Sequence, residues 1–155
     1  VNAEESGQFV WNMATYDLDE AVNISSEELP PEVDEFAVAG LTKAAATRIR
    51  PPRVAESPVQ FECEYMTTLR LPGNGAMGAV DVVFGKVIAV HIADWALTPE
   101  GRIDILKVRP PARLGYHDCT SIEHMFTMAT AMKTGAGSAG LEGSPEKAMA
   151  ALGTG

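Results

Sequence analysis

Two extended runs around a turn constrain this chain more than any other feature in it. Val59 to Leu71 alternates, with Val59, Phe61, Cys63 and Tyr65 on one side, and Val80 to Ile92 follows after Pro72-Gly73-Asn74-Gly75. A period of two marks a strand with one face against a core, and a Gly-Asn-Gly turn between two such runs predicts a long antiparallel hairpin. Cys63 is thereby expected to face a core as a small hydrophobe. Val82-Val83-Phe84 and Val87 to Val90 are apolar at successive positions, so the second strand is expected to be central. Gly85 within it marks a bulge or a close approach of another group to the backbone.

The rest of the chain consists of short pieces. Residues 2 to 6 suit a helix, Gly7 stops it, and Gln8 to Met13 turns extended. Asp17 is placed to cap a short helix with Leu18, Ala21 and Val22 on its apolar face. Pro30-Pro31 forces an extended bend, and Asp34 to Ala39 suits one helical turn closed by Gly40. Lys43 to Ile49 alternates weakly, and Pro51 to Pro58 is too rigid to be the centre of a strand. Ile103 to Val108 suits a short helix, and residues 112 to 128 suit one or two final strands, with Tyr116, Ile122, Met125, Phe126 and Met128 expected to point inward. After Lys133 the composition changes. Thr134 to Gly143 is rich in Gly, Ala and Ser, and Ser144 can cap a last helix over Pro145 to Leu152. The expected organisation is one domain over 1–133 and a flexible tail over 134–155.

With 155 residues and a 46% apolar fraction, the chain can build one domain with a core. No apolar run approaches the ~20 residues of a membrane-spanning helix, and the first 15 residues lack the basic start and apolar stretch of a signal peptide. Twelve basic against twenty-one acidic residues give a net charge of -9, which repels a nucleic-acid backbone. A single phosphate is a different matter, because it needs only local donors. Arg48, Arg50 and Arg53 form one short cluster and Arg109 and Arg113 another; each can supply such donors or serve as a solvated surface. Two cysteines without a Cys-x-x-Cys pair point to a reduced, cytoplasmic protein.

Nucleophile elbow, phosphate-binding loop, zinc pair and dinucleotide fingerprint are all missing from the sequence. His117, Cys119 and His124 group soft ligand types, but a zinc site would need a further ligand from distant Cys63 or His91, so no metal is expected.

Longer phrases carry a resemblance. Glu5-Ser6-Gly7-Gln8-Phe9-Val10-Trp11-Asn12, Leu29-Pro30-Pro31-Glu32-Val33-Asp34-Glu35-Phe36, Ala39-Gly40-Leu41-Thr42, Arg50 to Cys63, Phe84 to His91 and Arg113-Leu114-Gly115-Tyr116 follow one another in unbroken order. Over residues 1 to 128 the chain resembles a flavin reductase-like protein of the FMN-binding split-barrel class. The resemblance implies a mainly β fold with short helices, a split β-barrel. Family members open with several strands that contribute to the flavin phosphate site, and this chain starts after them, so the barrel is expected to be incomplete at its N-terminus.

The same resemblance implies an oxidoreductase that binds FMN, takes hydride from NAD(P)H and works as a homodimer with the flavin at the subunit interface. It implies cofactor contacts from Asn12, Arg113, Leu114, Gly115 and Tyr116. The residue chemistry suits that role: an Arg fork for phosphate or ribityl oxygens, a Gly that admits a ligand to the backbone, and a Tyr ring to lie beside an aromatic. Asn12 can instead hold a strand end, and Arg113 and Tyr116 can instead pair with an acid and fill a barrel. Some members of the wider class carry Gly-Asp-His before the Gly of the long strand, where this chain reads Gly78-Ala79-Val80. Two alternatives therefore stand beside the reductase: an FMN-binding or electron-transfer protein without reductase turnover, and a non-catalytic dimerising remnant.

Overall fold

The computed structural model describes residues 2–30, 32–75 and 78–128. The chain divides into a unit Val1–Glu123 and a unit His124–Gly155. In the second, residues 124–128 have no regular secondary structure, and the expected boundary at 133 and the helix from Pro145 lie outside the described residues.

The first unit is built on a three-stranded antiparallel sheet. Strands β1 (Gln8–Asn12), β4 (Val59–Leu71) and β5 (Val80–Ile92) lie in the order β1-β4-β5. Between β1 and β4 come two short pairing segments, β2 (Lys43–Ala44) and β3 (Arg53–Val54), and after β5 a separate hairpin joins β6 (Pro111–Gly115) to β7 (Asp118–Ser121). Helices α1 (Asn2–Ser6), α2 (Asp19–Ile24), α3 (Glu35–Val38) and α4 (Ile105–Val108) are each short.

Local chemistry accounts for most of these boundaries. Gly7 and Gly40, at φ +69° and +67°, take the left-handed conformation that ends α1 and closes the turn after α3. Asp34 caps α3 by accepting from the Phe36 amide at 3.2 Å, and Asp104 caps α4 by accepting from the Lys107 amide at 3.1 Å. Asp17 does not act as the cap expected of it. It lies inside a 3₁₀ turn, Tyr16–Leu18, and α2 begins after that turn with no side-chain cap.

The long hairpin forms with two irregularities. Between Glu62/Ala89 and Cys63/Val87 the strand β5 carries an extra residue, Ile88, and between Tyr65/Gly85 and Thr67/Phe84 the strand β4 carries Met66. Gly85 stands beside the second bulge and also admits a close neighbour. A Cβ there would lie 2.5 Å from Phe9 Cζ and 3.1 Å from Cys63 Cβ, so the bare backbone makes room for the Phe9 ring.

Two expectations need correction. The strand β5 is an edge of the sheet, and its apolar side chains from Val80 to Ile92, Val82 and Val83 among them, are exposed or half-buried. They are apolar on both faces, yet no described segment of this chain covers them. Tyr116 and Ile122 are likewise exposed, since β6 and β7 pair only with each other among the described residues, and Met125, Phe126 and Met128, which lie outside any strand, are from 66% to 79% exposed. Among the described residues the buried apolar core is small: Val59, Cys63, Ala96 and Val108, with Pro58 also enclosed.

Gly85→Ala is expected to destabilise the fold by about 1–3 kcal/mol, since the Phe9 ring must swing away while Cys63 blocks the other side. Urea unfolding checks this, and the loss should shrink in a Phe9→Leu background. Equal stability of Gly85→Ala and the parent would remove the packing role given to this glycine.

Candidate functional site

The two faces of the sheet differ in chemistry. One carries Trp11 stacked on Phe61 with ring centroids 4.8 Å apart, alongside Val87 and Val90. The other carries polar side chains, Gln8 and Asn12 from β1, Gln60 and Glu62 from β4 and His91 from β5. A strap, residues 45–57, irregular apart from β3, is bonded to this polar face.

Each polar side chain satisfies a particular part of that strap. Gln8 Oε1 accepts from the Arg50 amide at 3.1 Å and Asn12 Oδ1 from the Val54 amide at 2.9 Å. Gln60 accepts from Arg53 Nη1 at 3.0 Å and donates to the carbonyls of Val54 and Ser57. Arg53 also donates twice to the Ala45 carbonyl, at 3.1 and 3.0 Å. Ser57 reaches back to the carbonyls of Met13 and Val59, at 2.9 and 3.0 Å. Apart from the short β2–β3 pair the strap has no ladder of its own, and these side chains take the place of one.

Glu62 is the centre of the arrangement. Its carboxylate is fully buried and accepts four hydrogen bonds: Oε1 from the Thr47 amide at 2.7 Å, the Thr47 hydroxyl at 3.0 Å and His91 Nε2 at 2.6 Å, and Oε2 from the Arg48 amide at 2.7 Å. Burial pushes its pKa up. The Thr47 amide, His91, the Arg48 amide and the Thr47 hydroxyl outweigh that and hold it at about 2, against an ordinary 4.5. Burial also pushes the Cys63 thiol up, which leaves it an unreactive core group.

Two clefts border the strap. The larger, about 520 Å³, lies between α1, β1, α3 and the strap, lined by Gln8, Val10, Asn12, Glu35, Phe36 and Pro51 among others. The smaller, about 190 Å³, lies toward α2 and shares Asn12, Ser25, Leu41 and Val54 with the first.

The residues singled out from the sequence fall into separate places. Asn12 lies at the larger cleft, beside Glu35 and Phe36. Arg113, Leu114, Gly115 and Tyr116 line neither cleft and form the outer hairpin, where Arg113 Nη2 donates to the Tyr116 carbonyl at 2.7 Å. Gly115 is at φ +139° and Tyr116 at +49°, and the Tyr116 side chain is 94% exposed. In the arginine clusters, Arg53 is spent on the strap and Arg109 lies over the Tyr16 ring at 4.2 Å. No group of three His, Cys, Asp or Glu among the described residues has the geometry to hold a metal ion. No helix among them is long and apolar enough to cross a membrane.

The sequence did not single out Glu62 or Gln60, and it brought in His91 as a distant further ligand for a zinc site. The available signal was a row of polar residues at even positions of adjoining strands, opposite a donor-bearing, proline-framed segment.

The fold and the order of these elements define a class. The chain belongs to the flavin reductase like domain family, whose model matches residues 2–117. It is 34% identical over 127 residues to an uncharacterised protein of Halalkalibacterium halodurans, covering 82% of this chain and 60% of that one. Among solved structures it is similar to nitrilotriacetate monooxygenase component B from Bacillus cereus, with 29% identity, a TM-score of 0.73 and coverage of 82% of this chain and 62% of that one. The fold is also shared with a split barrel domain protein from Shewanella frigidimarina, at 20% identity and a TM-score of 0.69, over 84% of this chain and 64% of that one. The fold is therefore mainly β and of the split-barrel flavin reductase type, with sheets that do not close among the described residues. The chain spans 55% to 60% of the length of the first two curated relatives it matches.

Replacing the central carboxylate should reveal its linkage to pH. Because the folded pKa of about 2 lies below the ordinary 4.5, ionised Glu62 stabilises the fold fully above 4.5, and that stabilisation is lost as pH falls toward 2. Glu62→Gln is expected to melt at a lower temperature at pH 7, with the two melting curves converging between pH 4.5 and 2. A constant gap across that range would place the stabilisation elsewhere.

Proposed function

We propose that the chain is part of an FMN-binding oxidoreductase that uses NAD(P)H and passes reducing equivalents to an acceptor. The observation that carries this reading is membership of the flavin reductase like family over residues 2–117. The similarity to a monooxygenase component B at 29% identity supports it.

The hairpin residues fit such a cofactor. Arg113 spends one guanidinium nitrogen on the Tyr116 carbonyl, and a guanidinium carries five N–H donors in all, so donors remain for phosphate or ribityl oxygens. A Cβ at Gly115 would meet nothing within 4 Å, so a ligand can approach that backbone, and the exposed Tyr116 ring offers a face to an aromatic. Leu114, 67% exposed, adds apolar contact beside them. Asn12, with its oxygen engaged by Val54, lines the larger cleft, which the hairpin residues do not, so the flavin reading rests on the hairpin. When bound, FMN supplies the hydride chemistry; the protein binds and orients it.

The protein works as a homodimer in the cytoplasm in this reading. The uncovered apolar side chains of β5 support an apolar partner surface, and the free thiols Cys63 and Cys119 suit a reducing compartment. A second reading, FMN binding without reductase turnover, is favoured by one feature. Gly78-Ala79-Val80 offers no imidazole before β5, and the Nε2 of His91 further along is bound to Glu62.

Titration with FMN followed by flavin fluorescence tests the proposal, and oxidation of NAD(P)H in the presence of FMN separates the two readings. Arg113→Ala is expected to weaken FMN binding by about 1–3 kcal/mol through loss of a charge-assisted contact. Unchanged affinity would remove Arg113 from the cofactor site, and absence of saturable binding by the folded chain would overturn the assignment of these residues to flavin.

A further inference from the structure

We infer that the larger cleft is a binding site for an uncharged, flat aromatic molecule bearing carbonyl oxygens, separate from the flavin proposed above. Its volume, about 520 Å³, lies within the range of small-molecule sites. Val10, Phe36, Leu41, Pro51, Pro52 and Val54 give it apolar walls. Two of these are consecutive prolines with fixed φ, on a strap already bonded to the sheet, so the wall is formed before a ligand arrives.

The polar groups in the cleft define what the ligand must carry. Gln8 and Asn12 stand four residues apart on one face of β1, about 13 Å at the usual rise of a strand. The oxygen of each carboxamide accepts a strap amide, from Arg50 and Val54, and this fixes which end of the group is the nitrogen. Both NH₂ groups have no acceptor among the described residues. A ligand that meets them presents acceptors, and carbonyl oxygens on an aromatic frame do so while the frame fills the apolar space.

Charge then selects among such ligands. Among the described residues Glu35 is the charged side chain lining the cleft, and none of their Lys, Arg or His side chains lines it. A phosphate or carboxylate would find no counter-charge and would lie near a like charge. That is why the cleft suits a neutral ligand and not a phosphorylated cofactor.

The neutral probe 1,8-naphthalimide and its anionic 4-sulfonate test the inference on the ¹⁵N-labelled chain. A saturable shift of the side-chain amide of Gln8 or of Asn12 is expected with the neutral probe, whose two carbonyls share one edge, and at least tenfold weaker binding with the sulfonate. Asn12→Asp and Gln8→Glu keep an oxygen for the Val54 and Arg50 amides and remove the donors; the variant at the amide that shifts should lower affinity for the neutral probe at least tenfold. Equal affinity in both variants, equal binding of the sulfonate by the parent chain, or no saturable shift of those amides would overturn the site. Displacement of the probe by FMN would also overturn it, by giving the cleft to the cofactor while the flavin reading stands.

Discussion

The buried carboxylate of Glu62 is the contact on which the rest of this structure depends. A charge inside a protein is costly unless every lone pair has a donor, and here two backbone amides, a hydroxyl and an imidazole converge on it. Two of those donors belong to the backbone of Thr47 and Arg48, in a segment without regular pairing of its own. The charge and the strap therefore stabilise each other: removing the strap would strand the carboxylate, and removing the carboxylate would strand the amides.

This arrangement departs from the usual division of a sheet. Hydrophobic burial normally occupies the covered face and polar groups the open one. Here β4 is buried on both sides, with Gln60 and Glu62 under the strap and Val59 and Cys63 on the side of the Trp11–Phe61 stack. Specificity of strap placement comes from hydrogen-bond geometry, since directional bonds fix position more sharply than apolar contact does. The walls of the larger cleft inherit that definition, because Pro51, Pro52 and Val54 belong to the strap.

Much of the fold was readable from the residues. Alternation from Val59 to Leu71 and the Gly-Asn-Gly turn located the long hairpin, and Gly7, Gly40 and Asp34 set boundaries through local backbone chemistry. The place of β5 in the sheet was not readable. An apolar run says that both faces avoid water but does not say which chain covers them, so Val82 to Val90 suggested a central strand that proved to be an edge. Tyr116, Met125 and Phe126 misled for the same reason. The polar face was missed because Gln60 and Glu62 look like the solvent side of an amphipathic strand. Only the folded path of residues 45–57, which local propensity does not specify, turns them inward. Asn12 was noticed through a resemblance, and its two roles, strand-end support and donor to a cleft, separate only when Val54 is seen to occupy its oxygen.

Surface connections usually tolerate inserted or deleted residues because little depends on their spacing. The strap differs. Ala45, Thr47, Arg48, Arg50, Arg53, Val54 and Ser57 each meet a partner at a set position, so a one-residue change of length would misalign several bonds together. In this chain an irregular segment has acquired the register of a strand, and changes there should be confined to substitutions that leave its length intact.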